Sequence, residues 1–402
     1  MATNNNDKTL NVPPLRFPEF SGEWEEEQLD SIATLSKGIG ISKEQLSEDG
    51  EPCILYGELY TKYKSEIIKQ VESKTDIDCS KLKRSKANDV IIPCSGETAV
   101  DIATARCVPF DNILLGGDLN IISLHKYDGA FMSYQLNGKR KYDIARVAQG
   151  VSVVHLYGEH LKAIKTYNPS LPEQQKIAKL LSLIDERIAT QNKIIEKLQS
   201  LIKGLSQQLL SSENDWILYR LDDLAQIKSG YSGIQVSYQT PYKVSRIETI
   251  SKHCIDIQRI GYVECIPESY RLNVGNILFS NINSIQYIGN TAYLDKDYGL
   301  YHGMNLLRII PNTTIVRPRF LHLLLCTDWA INHFQTICNK AVSQASINQT
   351  ALGKSRFPIP PMSVQQQICS MFELTERKLD NEQEYISCLQ QQKRYLLQKM
   401  FI

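Results

Sequence analysis

Two long segments with a heptad pattern of apolar residues constrain the fold of this chain more than any other feature. The first, LPEQQKIAKLLSLIDERIATQNKIIEKLQSLIKGLSQQLL, runs from Leu171 to Leu210. Its apolar residues alternate at spacings of four and three, which is typical of a helix that buries a narrow stripe against a partner helix. At about 1.5 Å per residue, such a helix would span about 60 Å. The segment therefore predicts a long helix that needs a partner.

A weaker copy of the same segment lies at the C-terminal end and can supply that partner. The repeat places the second pair of adjacent glutamines 191 positions after the first, and the apolar positions follow at the same offset. We predict that the two helices pack antiparallel as an intramolecular coiled coil with a pseudo-two-fold repeat, a spacer with one globule near each end. The repeated positions are Gln174, Gln175, Ile177, Ile188, Ile195, Leu198, Gln365, Gln366, Ile368, Ile386 and Leu389.

Polar residues interrupt this seam near the middle of each helix. Gln191 aligns with Glu382, while Thr375 and Lys393 interrupt only the second copy. A buried polar position can fix the register of a coiled coil at a cost in stability. Two interpretations stay open: Gln191 and Glu382 specify the register, or they are exposed residues at a loosened seam.

The segments before the two helices also resemble each other. Trp24 and Trp216 begin the same apolar spacing, and GGDLNIISL resembles YHGMNLLRI, which places Asn120 opposite Asn305. Matched ends with divergent middles suggest one scaffold that carries two different surfaces. We predict an α/β chain with two mixed α/β globules separated by the two long helices. The predicted limits are a disordered lead-in over 1–14, globules over 15–165 and 213–357, and helices over 166–212 and 358–402.

Composition excludes several classes of protein. No apolar run reaches the roughly 20 residues that span a bilayer, and the N-terminal segment lacks the apolar core of a signal peptide. The ten cysteines are scattered and form no Cys-x-x-Cys pair, which favours reduced thiols in a cytoplasmic protein that does not contact membranes. The net charge is +1, so any contact with DNA needs a focused patch or a partner's charge.

The order of these segments resembles the specificity (S) subunit of type I restriction–modification systems. The resemblance rests on NPSLPEQQKIAKLLSLIDERIATQNKIIEKLQ and PIPPMSVQQQICSMFELTERKLD, each following a globule, and covers roughly residues 15–402. The opening LRFPEFSGEWEEEQLDSIATLSKGIG looks like the start of that family's first target-recognition domain. Each motif alone is weak, but the repeated Pro-x-x-Gln-Gln-x-Ile before a long helix is specific.

The resemblance implies a complete division of labour. Each globule would read one half of a bipartite, asymmetric target in double-stranded DNA. The helices would set the spacing and dock two modification (methyltransferase) subunits, to which restriction (endonuclease/translocase) subunits add. The chain itself would not be an enzyme, and S-adenosylmethionine, ATP and magnesium would belong to the partners. The alternative is a structural coiled-coil adaptor that holds two protein-binding globules apart.

The residues themselves give little sign of chemistry. NPSL and LLGGDLN are poor matches to the catalytic tetrapeptide and cofactor loop of an amino-methyltransferase. His322 and Cys326 have the spacing of one helical turn, as metal ligands on a helix do. Core thiols and histidines are far commoner than zinc sites, so we expect no metal.

Polar loops supply the candidate DNA contacts. Base edges are read by Arg, Lys, Asn, Gln, Ser and Thr, and phosphates by cations and hydroxyls. One of these loops contains Asn137-Gly138, a pair typical of a tight turn, followed by three basic residues. The candidates are Ser36, Lys37, Gly38, Ser95, Thr98, Asn137, Lys139, Arg140, Lys141, Lys228, Ser229, Tyr231, Asn281, Asn283, Ser284, His302, Asn305, Ser343, Gln344 and Ser346.

Overall fold

The computed structural model describes residues 10–150, 153–211, 216–340 and 344–402. The chain divides into two compact units: Met1–Lys193 with Gln383–Ile402, and Ile194–Glu382. Each unit contains one globule and about half of each long helix. None of the helices in the described ranges combines the length and apolar character needed to cross a bilayer. The domain limits predicted from the sequence stay predictions, and residues 1–9 of the predicted lead-in lie outside the described ranges.

The first unit is built from short strands and short helices. Its strands are β1 (Glu25–Gln28), β2 (Ala33–Lys37), β3 (Glu51–Ile54), β4 (Lys74–Thr75), β5 (Asp89–Pro93), β6 (Ser95–Gly96), β7 (Arg106–Val108), β8 (Leu114–Leu115), β9 (Leu119–Leu124), β10 (Val154–His155) and β11 (Lys165–Asn168). Its short helices are α1 (Leu29–Ile32), α2 (Glu58–Thr61), α3 (Ala99–Ile102), α4 (Gly129–Asn137), α5 (Lys141–Val147) and α6 (Gly158–Lys162). The first long helix, α7 (Leu171–Leu209), begins after β11.

The second unit repeats this plan. Its strands are β12 (Ile217–Arg220), β13 (Ala225–Ser229), β14 (Gln235–Val236), β15 (Tyr242–Val244), β16 (Ile250–Ser251), β17 (Cys254–Ile255), β18 (Gly261–Val263), β19 (Ile277–Phe279), β20 (Ile282–Asn283), β21 (Thr291–Tyr293), β22 (Leu300–Tyr301), β23 (Leu307–Pro311), β24 (Asn339–Lys340), β25 (Ala345–Ser346) and β26 (Arg356–Ile359). Its short helices are α8 (Leu221–Leu224), α9 (Pro318–Leu325), α10 (Asp328–Ile337) and α11 (Gln349–Gly353). The second long helix is α12 (Met362–Lys399).

The central sheets of the two units have the same topology. Their strand orders are β2-β9-β5-β7 and β13-β23-β19-β21, with every neighbouring pair antiparallel. In both sheets the middle strands are fully or largely buried, as expected for apolar runs such as VII and ILF. The predicted mixed α/β fold with an internal repeat is confirmed.

The register of these sheets corrects one detail of the predicted alignment. In the first unit Lys37 pairs with Asn120, and in the second Ser229 pairs with Leu307. Asn120 therefore corresponds to Leu307, two residues beyond the Asn305 expected from the sequence. The sequence alignment was shifted because both segments contain an Asn followed by apolar residues. In the structure Asn120 lies within β9, whereas Asn305 lies before β23.

The repeated tryptophans fill equivalent places. Trp24 is buried, and its ring contacts Phe131 of α4 at a centroid distance of 5.7 Å. Trp216 contacts Phe320 of α9 in the same edge-on manner at 6.3 Å. Such aromatic pairs stabilise a core beyond the area that they bury. Each tryptophan therefore packs the first residues of its globule against a helix of the same globule.

Within each unit the long helices supply apolar seam residues to the core. In the first unit Ile177 and Leu181, near the start of α7, belong to one cluster with Leu396 and Met400, near the end of α12. The start of one helix thus lies against the end of the other, which is an antiparallel arrangement. Burial of a Leu or Ile side chain contributes roughly 1.5–3 kcal/mol, so the narrow predicted seam is a major part of this core.

The second unit shows the complementary half of the same arrangement. Ile202 and Leu205, late in α7, pack against the cluster that contains Ile368 and Phe372, early in α12. Trp329 of α10 donates to the carbonyl oxygen of Leu210 at 2.7 Å, which fixes the end of α7 to the globule. The predicted intramolecular pairing of the helices is therefore present in both units.

Lys393, predicted to weaken the seam, instead completes a buried ion cluster in the first unit. Its Nζ lies 2.5 Å from Glu66 Oε2 and 2.6 Å from Asp185 Oδ1. The hydroxyl of Tyr134 donates to the other oxygen of Asp185 at 2.6 Å. Burial raises the pKa of Glu66, and the nearby amine of Lys393 opposes that rise. The cluster links globule, α7 and α12.

Candidate nucleic-acid interface

One glutamine of each repeated pair joins a long helix to the globule of its unit. Gln174 Oε1 accepts from the backbone N–H of Asp128 at 2.9 Å, and its Nε2 donates to the carbonyl of the proline five residues earlier at 2.8 Å. Gln365 does the same with the N–H of Arg317 at 2.8 Å and with its own preceding proline at 2.9 Å. Asp128 and Arg317 cap α4 and α9. The buried glutamines therefore hold equivalent helices in place.

The other predicted spacer positions differ in exposure. Gln175 and Gln366 lie on the surface, and Gln366 donates to Ser370 within its own helix at 2.9 Å. Of the remaining positions, Ile177, Ile368 and Leu389 are buried, and Ile188, Ile195, Leu198 and Ile386 are partly buried. Docking of partner subunits on these helices stays a prediction, and the exposed positions are the ones that a partner can reach.

In the first unit the loop after β2 leaves the sheet through a contact between two backbones. A Cβ atom on Gly38 would lie 1.9 Å from the carbonyl oxygen of Gly116, so only glycine fits. Ser36 and Lys37 come immediately before this contact. Lys37 is exposed, and its Nζ lies 5.6 Å from the ring centroid of Tyr157. The close approach of Gly38 and Gly116 thus fixes the position at which this candidate DNA-binding loop leaves the sheet.

The second unit contains a tighter version of the same junction. A Cβ on Gly230 would lie 1.8 Å from the carbonyl oxygen of Gly303, and one on Gly303 would lie 1.9 Å from that of Ser245. Three backbone segments therefore touch here. Lys228 and Ser229, both exposed, end β13 just before the junction. Loops that leave a rigid scaffold in this way are well suited to recognition.

The candidate residues beside this junction differ in their exposure to solvent. Asn305 is exposed and has a left-handed φ of 63°, which Asn tolerates better than most residues. Tyr231 is half-buried against the ring of Tyr270 at 5.3 Å. His302 is fully buried, and its Nε2 lies 2.9 Å from the carbonyl oxygen of Leu306. Burial lowers the pKa of His302 to about 4. His302 thus packs inside the second unit, and its contact with DNA stays a prediction.

The candidates Ser95 and Thr98 take part in local hydrogen bonds of the first unit. Ser95 is buried and donates to Asp118 Oδ2 at 3.2 Å. Thr98 is exposed, caps α3 by accepting from the N–H of Asp101 at 3.1 Å, and donates to the carboxylate of Asp101 at 2.6 Å. Such a cap is worth about 1 kcal/mol of helix stability. Of the two, Thr98 is the one accessible to DNA.

The turn predicted at Asn137-Gly138 is present over residues 138–140, but it joins two helices and not two strands. Asn137 is the last residue of α4, and its side chain hydrogen-bonds both the N–H and the carbonyl of Ala105 at 2.8 Å. Gly138 caps the helix with a φ of −87°, and α5 begins at Lys141. Ala105 lies just before β7, far from Asn137 in the sequence, so the two-residue pattern alone could not predict that the side chain is used for this contact.

The three basic residues after this helix end differ in accessibility. Arg140 lies over the ring of Tyr167 at 5.3 Å and donates to the carbonyl of Ile402 at 2.9 Å. Lys141 is partly buried, and burial lowers its pKa. Lys139 is exposed. A solvent-exposed amine can contact a phosphate at little cost, so Lys139 is the best placed of the three.

Two candidate loops of the second unit meet in one small sheet. Strand β20, which ends with Asn283, pairs antiparallel with β25, which ends with Ser346. Gln344 lies just before β25 and is exposed. Ser343, also a candidate, lies outside the described residues. The structure thus brings together two segments that the sequence treated as separate.

Side chains of the first of these loops form hydrogen bonds within the loop and to the segment that follows β25. Asn281 Nδ2 donates to the carbonyl of Ile347 at 3.3 Å. Asn283 accepts from the N–H of Ser284 at 2.8 Å and donates to Ser280 Oγ at 3.1 Å. All of these candidates are half-buried. Their first role is therefore to fix the loop, and contact with DNA stays a prediction for them.

His253 joins His322 and Cys326 in a hydrogen-bonded cluster. Its Nδ1 lies 3.3 Å from Cys326 Sγ, and Nε2 of His322 lies 3.5 Å from the same sulfur. Arg319 Nη1 lies 2.9 Å from Nδ1 of His322, which must accept, so the neutral ring carries its proton on the Nε2 that would bind a metal. Burial raises the pKa of Cys326 to about 12. In the described part of the chain no group of three such side chains is suited to a metal ion.

An open cleft next to the glycine junction of the second unit contains residues that sequence reasoning missed. Its volume is about 500 Å³, and Asn305 is the member that the sequence had suggested. Gln235, Arg246, Ile247 and Glu248 belong to segments in which the two copies do not align, so no repeat signal could find them. The cleft is lined by Ser232, Gly233, Ile234, Gln235, Arg246, Ile247, Glu248, Met304 and Asn305.

Two α/β units of one topology, each carried on halves of two long helices, define a tandem-repeat protein with recognition loops. The chain matches the model of the type I restriction modification DNA specificity domain over residues 21–200 and again over 213–391. These two matches cover most of the sequence. The chain therefore belongs to the type I restriction–modification DNA specificity family.

Two curated relatives come from Methanocaldococcus jannaschii. The putative type I restriction enzyme MjaX specificity subunit is 38% identical over 193 residues, which are 46% of this chain and 45% of that protein. The match thus spans about half the length of that relative. The type I restriction enzyme MjaVIII specificity subunit is 23% identical over 313 residues, 69% of this chain and 70% of that protein.

Solved structures share the fold. The S subunit of a type I restriction–modification system from M. genitalium superposes with a TM-score of 0.62 at 17% identity, over 97% of this chain and 99% of that one. A chain from a study of assembly and conformational transition of the type I R-M system gives 0.58 at 15% identity, over 96% and 99%. At these identities the likeness concerns the fold.

Proposed function

We propose that this chain is the DNA-binding specificity subunit of a type I restriction–modification complex. Each unit reads one half of a bipartite, asymmetric target in double-stranded DNA. The observation that carries the proposal is the glycine junction, which appears in both units with different exposed residues around it. A repeated scaffold with divergent loops suits a protein that reads two different short sequences.

Exposed apolar side chains along both long helices support the docking of two modification (methyltransferase) subunits. Apolar side chains outside the seam have no core of their own to enter, and rows of them on a surface mark protein contacts. The exposed residues are Leu171, Leu183, Ile194 and Leu201 on α7, and Met371, Leu374, Tyr385 and Tyr395 on α12. Restriction subunits join the complex through these partners.

The charge of the chain supports the same division of labour. A net charge of +1 gives little non-specific affinity for DNA, which depends on cations that neutralise phosphates. The modification subunits therefore supply most of the phosphate contacts, and this chain supplies base readout. Catalysis, with S-adenosylmethionine, ATP and magnesium, belongs to the partner subunits, and the complex works in the cytoplasm where its DNA lies.

The test is selection of DNA by the assembled complex. The chain is co-purified with its modification subunit and mixed with a pool of random duplexes at physiological salt. Enrichment of two short sequences separated by a fixed gap is the expected result. Retention of protein partners without any enriched sequence would overturn the proposal in favour of a structural adaptor.

A further inference from the structure

The cleft of the second unit places two side chains that can read bases next to each other. A Cβ atom on Gly261 would lie 2.7 Å from Gln235 Oε1 and 3.1 Å from Cδ of Arg246. Both side chains therefore lie over this glycine of β18. Arg offers paired N–H donors and Gln an amide, the groups that recognise guanine and adenine in the major groove.

Arg246 leaves the scaffold from a fixed point. The preceding residue, Ser245, is buried, donates its N–H to the carbonyl of Tyr301 at 2.8 Å, and accepts from the N–H of Gly303 at 3.0 Å. The N–H of Arg246 itself donates to Thr249 Oγ1 at 2.8 Å. Its backbone is thus held from both sides while its side chain is exposed. Such preorganisation is what a specificity contact requires.

The charge of the cleft distinguishes base contact from phosphate contact. Nε of Arg246 lies 3.5 Å from Glu248 Oε2, and both side chains are about half exposed. The two charges cancel, so the cleft attracts phosphate weakly. Arginine, glutamine and asparagine side chains nevertheless remain available as donors and acceptors. This combination favours base edges over the DNA backbone.

The first unit shows that this position varies on a constant scaffold. Cys53 of β3 pairs parallel with Leu114, as Val244 of β15 pairs parallel with Tyr301, and the register of β9 and β23 makes Leu114 equivalent to Tyr301. Two residues after these paired positions, the first unit carries the half-buried Leu55 and the second unit carries the exposed Arg246. The backbone framework is kept and the side chain is changed, as expected at a position that determines specificity.

The residues before β9 and β23 also keep their backbone conformation while their side chains differ. By the register of β9 and β23, Asp118 corresponds to Asn305, and the two share a left-handed φ of 57° and 63°. The local backbone is again kept while the side chain differs. Ile234, 89% exposed at the rim of the second cleft, adds an apolar surface of the kind that contacts a thymine methyl group.

We propose that Arg246 is a specificity-determining residue that reads a guanine in the second half of the DNA target, with Gln235 and Asn305 beside it. The proposal rests on the proposed function of the chain. The guanidinium group donates to O6 and N7 of the base in the major groove, and Gly261 positions it by leaving room for its stem. The first unit does not take part in this contact.

The experiment compares the assembled complex containing wild-type chain, Arg246→Ala or Arg246→Lys, with Arg220→Ala as control. Arg220 is an exposed arginine of the same unit that pairs with Asp222 at the end of β12, in a different sheet. Each complex selects duplexes from a pool in which the second half-site is randomised, and its affinity is measured across a salt series.

Arg246→Ala should relax one guanine position of the second half-site and weaken binding of the cognate duplex by roughly 5- to 150-fold. The first half-site, the gap and the slope of affinity against salt should stay unchanged, because no phosphate contact is lost. Arg246→Lys should give a partial loss, and Arg220→Ala should behave as wild type.

Two results would overturn the proposal. An unchanged motif in Arg246→Ala would show that this residue reads no base. A uniform loss of affinity with a salt slope reduced by about one would make Arg246 a phosphate contact instead. If Arg246→Ala failed to assemble, Arg246→Gln would give the same comparison. Failure of the proposed function is distinguishable, because then the wild-type complex would select no sequence.

Discussion

Gln365 repeats both hydrogen bonds of Gln174, one to the N-cap of a globule helix and one to the proline five residues before it. The two residues lie 191 positions apart in the sequence and in different units. The glutamine of the repeated Pro-x-x-Gln-Gln motif is therefore explained by a structural role inside each unit. Its neighbours Gln175 and Gln366 are left on the surface.

Replacing this glutamine should weaken the unit to which it belongs. Gln174→Ala leaves the N–H of Asp128 and a buried carbonyl without partners, and each unsatisfied group costs about 1–3 kcal/mol. We expect the free energy of unfolding of the first unit to fall by at least that amount in urea titrations. Gln175→Ala, at an exposed position, should change it by less than about 0.5 kcal/mol. Equal effects of the two substitutions would contradict this account.

The buried ion cluster makes Lys393 essential for stability. Lys393→Met leaves Glu66 and Asp185 facing each other in the core, and breaking such a pair costs about 3–5 kcal/mol. Calorimetry should show a large drop in the unfolding temperature of the first unit. Combining the change with Glu66→Gln and Asp185→Asn should restore much of it, because no buried charge remains.

The matched control for this cluster is Lys69→Met. Lys69 pairs with Glu186 on the surface of the same unit, where both side chains are about half exposed. Exposed pairs contribute roughly 0–1 kcal/mol. A loss at Lys69 as large as that at Lys393 would show that burial is not what makes the cluster important.

Two glycine substitutions should have opposite effects. Gly303→Ala places a Cβ 1.9 Å from the carbonyl of Ser245, so the junction of the second unit must open, at roughly 1–3 kcal/mol. Gly204 is exposed within α7 with no atom within 4 Å of such a Cβ. Gly204→Ala should therefore stabilise the helix by about 0.5–1 kcal/mol. Urea unfolding of both variants tests the pair, and destabilisation by Gly204→Ala would contradict it.

His302 should make the second unit sensitive to mild acid. Burial lowers its pKa from 6.5 to about 4, so the unfolded state binds the proton more tightly. The stabilising contribution is complete above about pH 6.5 and is lost as pH falls towards 4, for a total of about 3 kcal/mol. His302→Gln should flatten this part of the curve of unfolding free energy against pH. An identical slope in wild type and variant would be the contrary result.

The features that could be predicted from the sequence are those that depend on periodic spacing of residues. The heptad pattern gave both long helices, and the repeat spacing identified equivalent entry tryptophans in the two units. Contacts between residues that are distant in the sequence could not be predicted from periodicity. Lys393 interrupts a heptad, yet its two carboxylate partners make it a core residue.

The candidate interface was predictable only in part. Loops that follow the repeated strands were found, because Lys37 ends β2 and Lys228 lies one residue before the end of the equivalent strand β13. His302 was chosen by residue type, although its neighbours bury it completely. Arg246 was missed because it lies where the two copies diverge. Divergence is what base readout needs, and it is also what removes the repeat signal.

Methylome sequencing of cells that carry this chain with its modification subunit tests the central claim most directly. The comparison strain lacks this chain alone. The account predicts a methylated motif of two unlike short halves around a fixed gap, present only when the chain is present. An identical methylation pattern in both strains, with a modification subunit shown to be active alongside another specificity subunit, would contradict it.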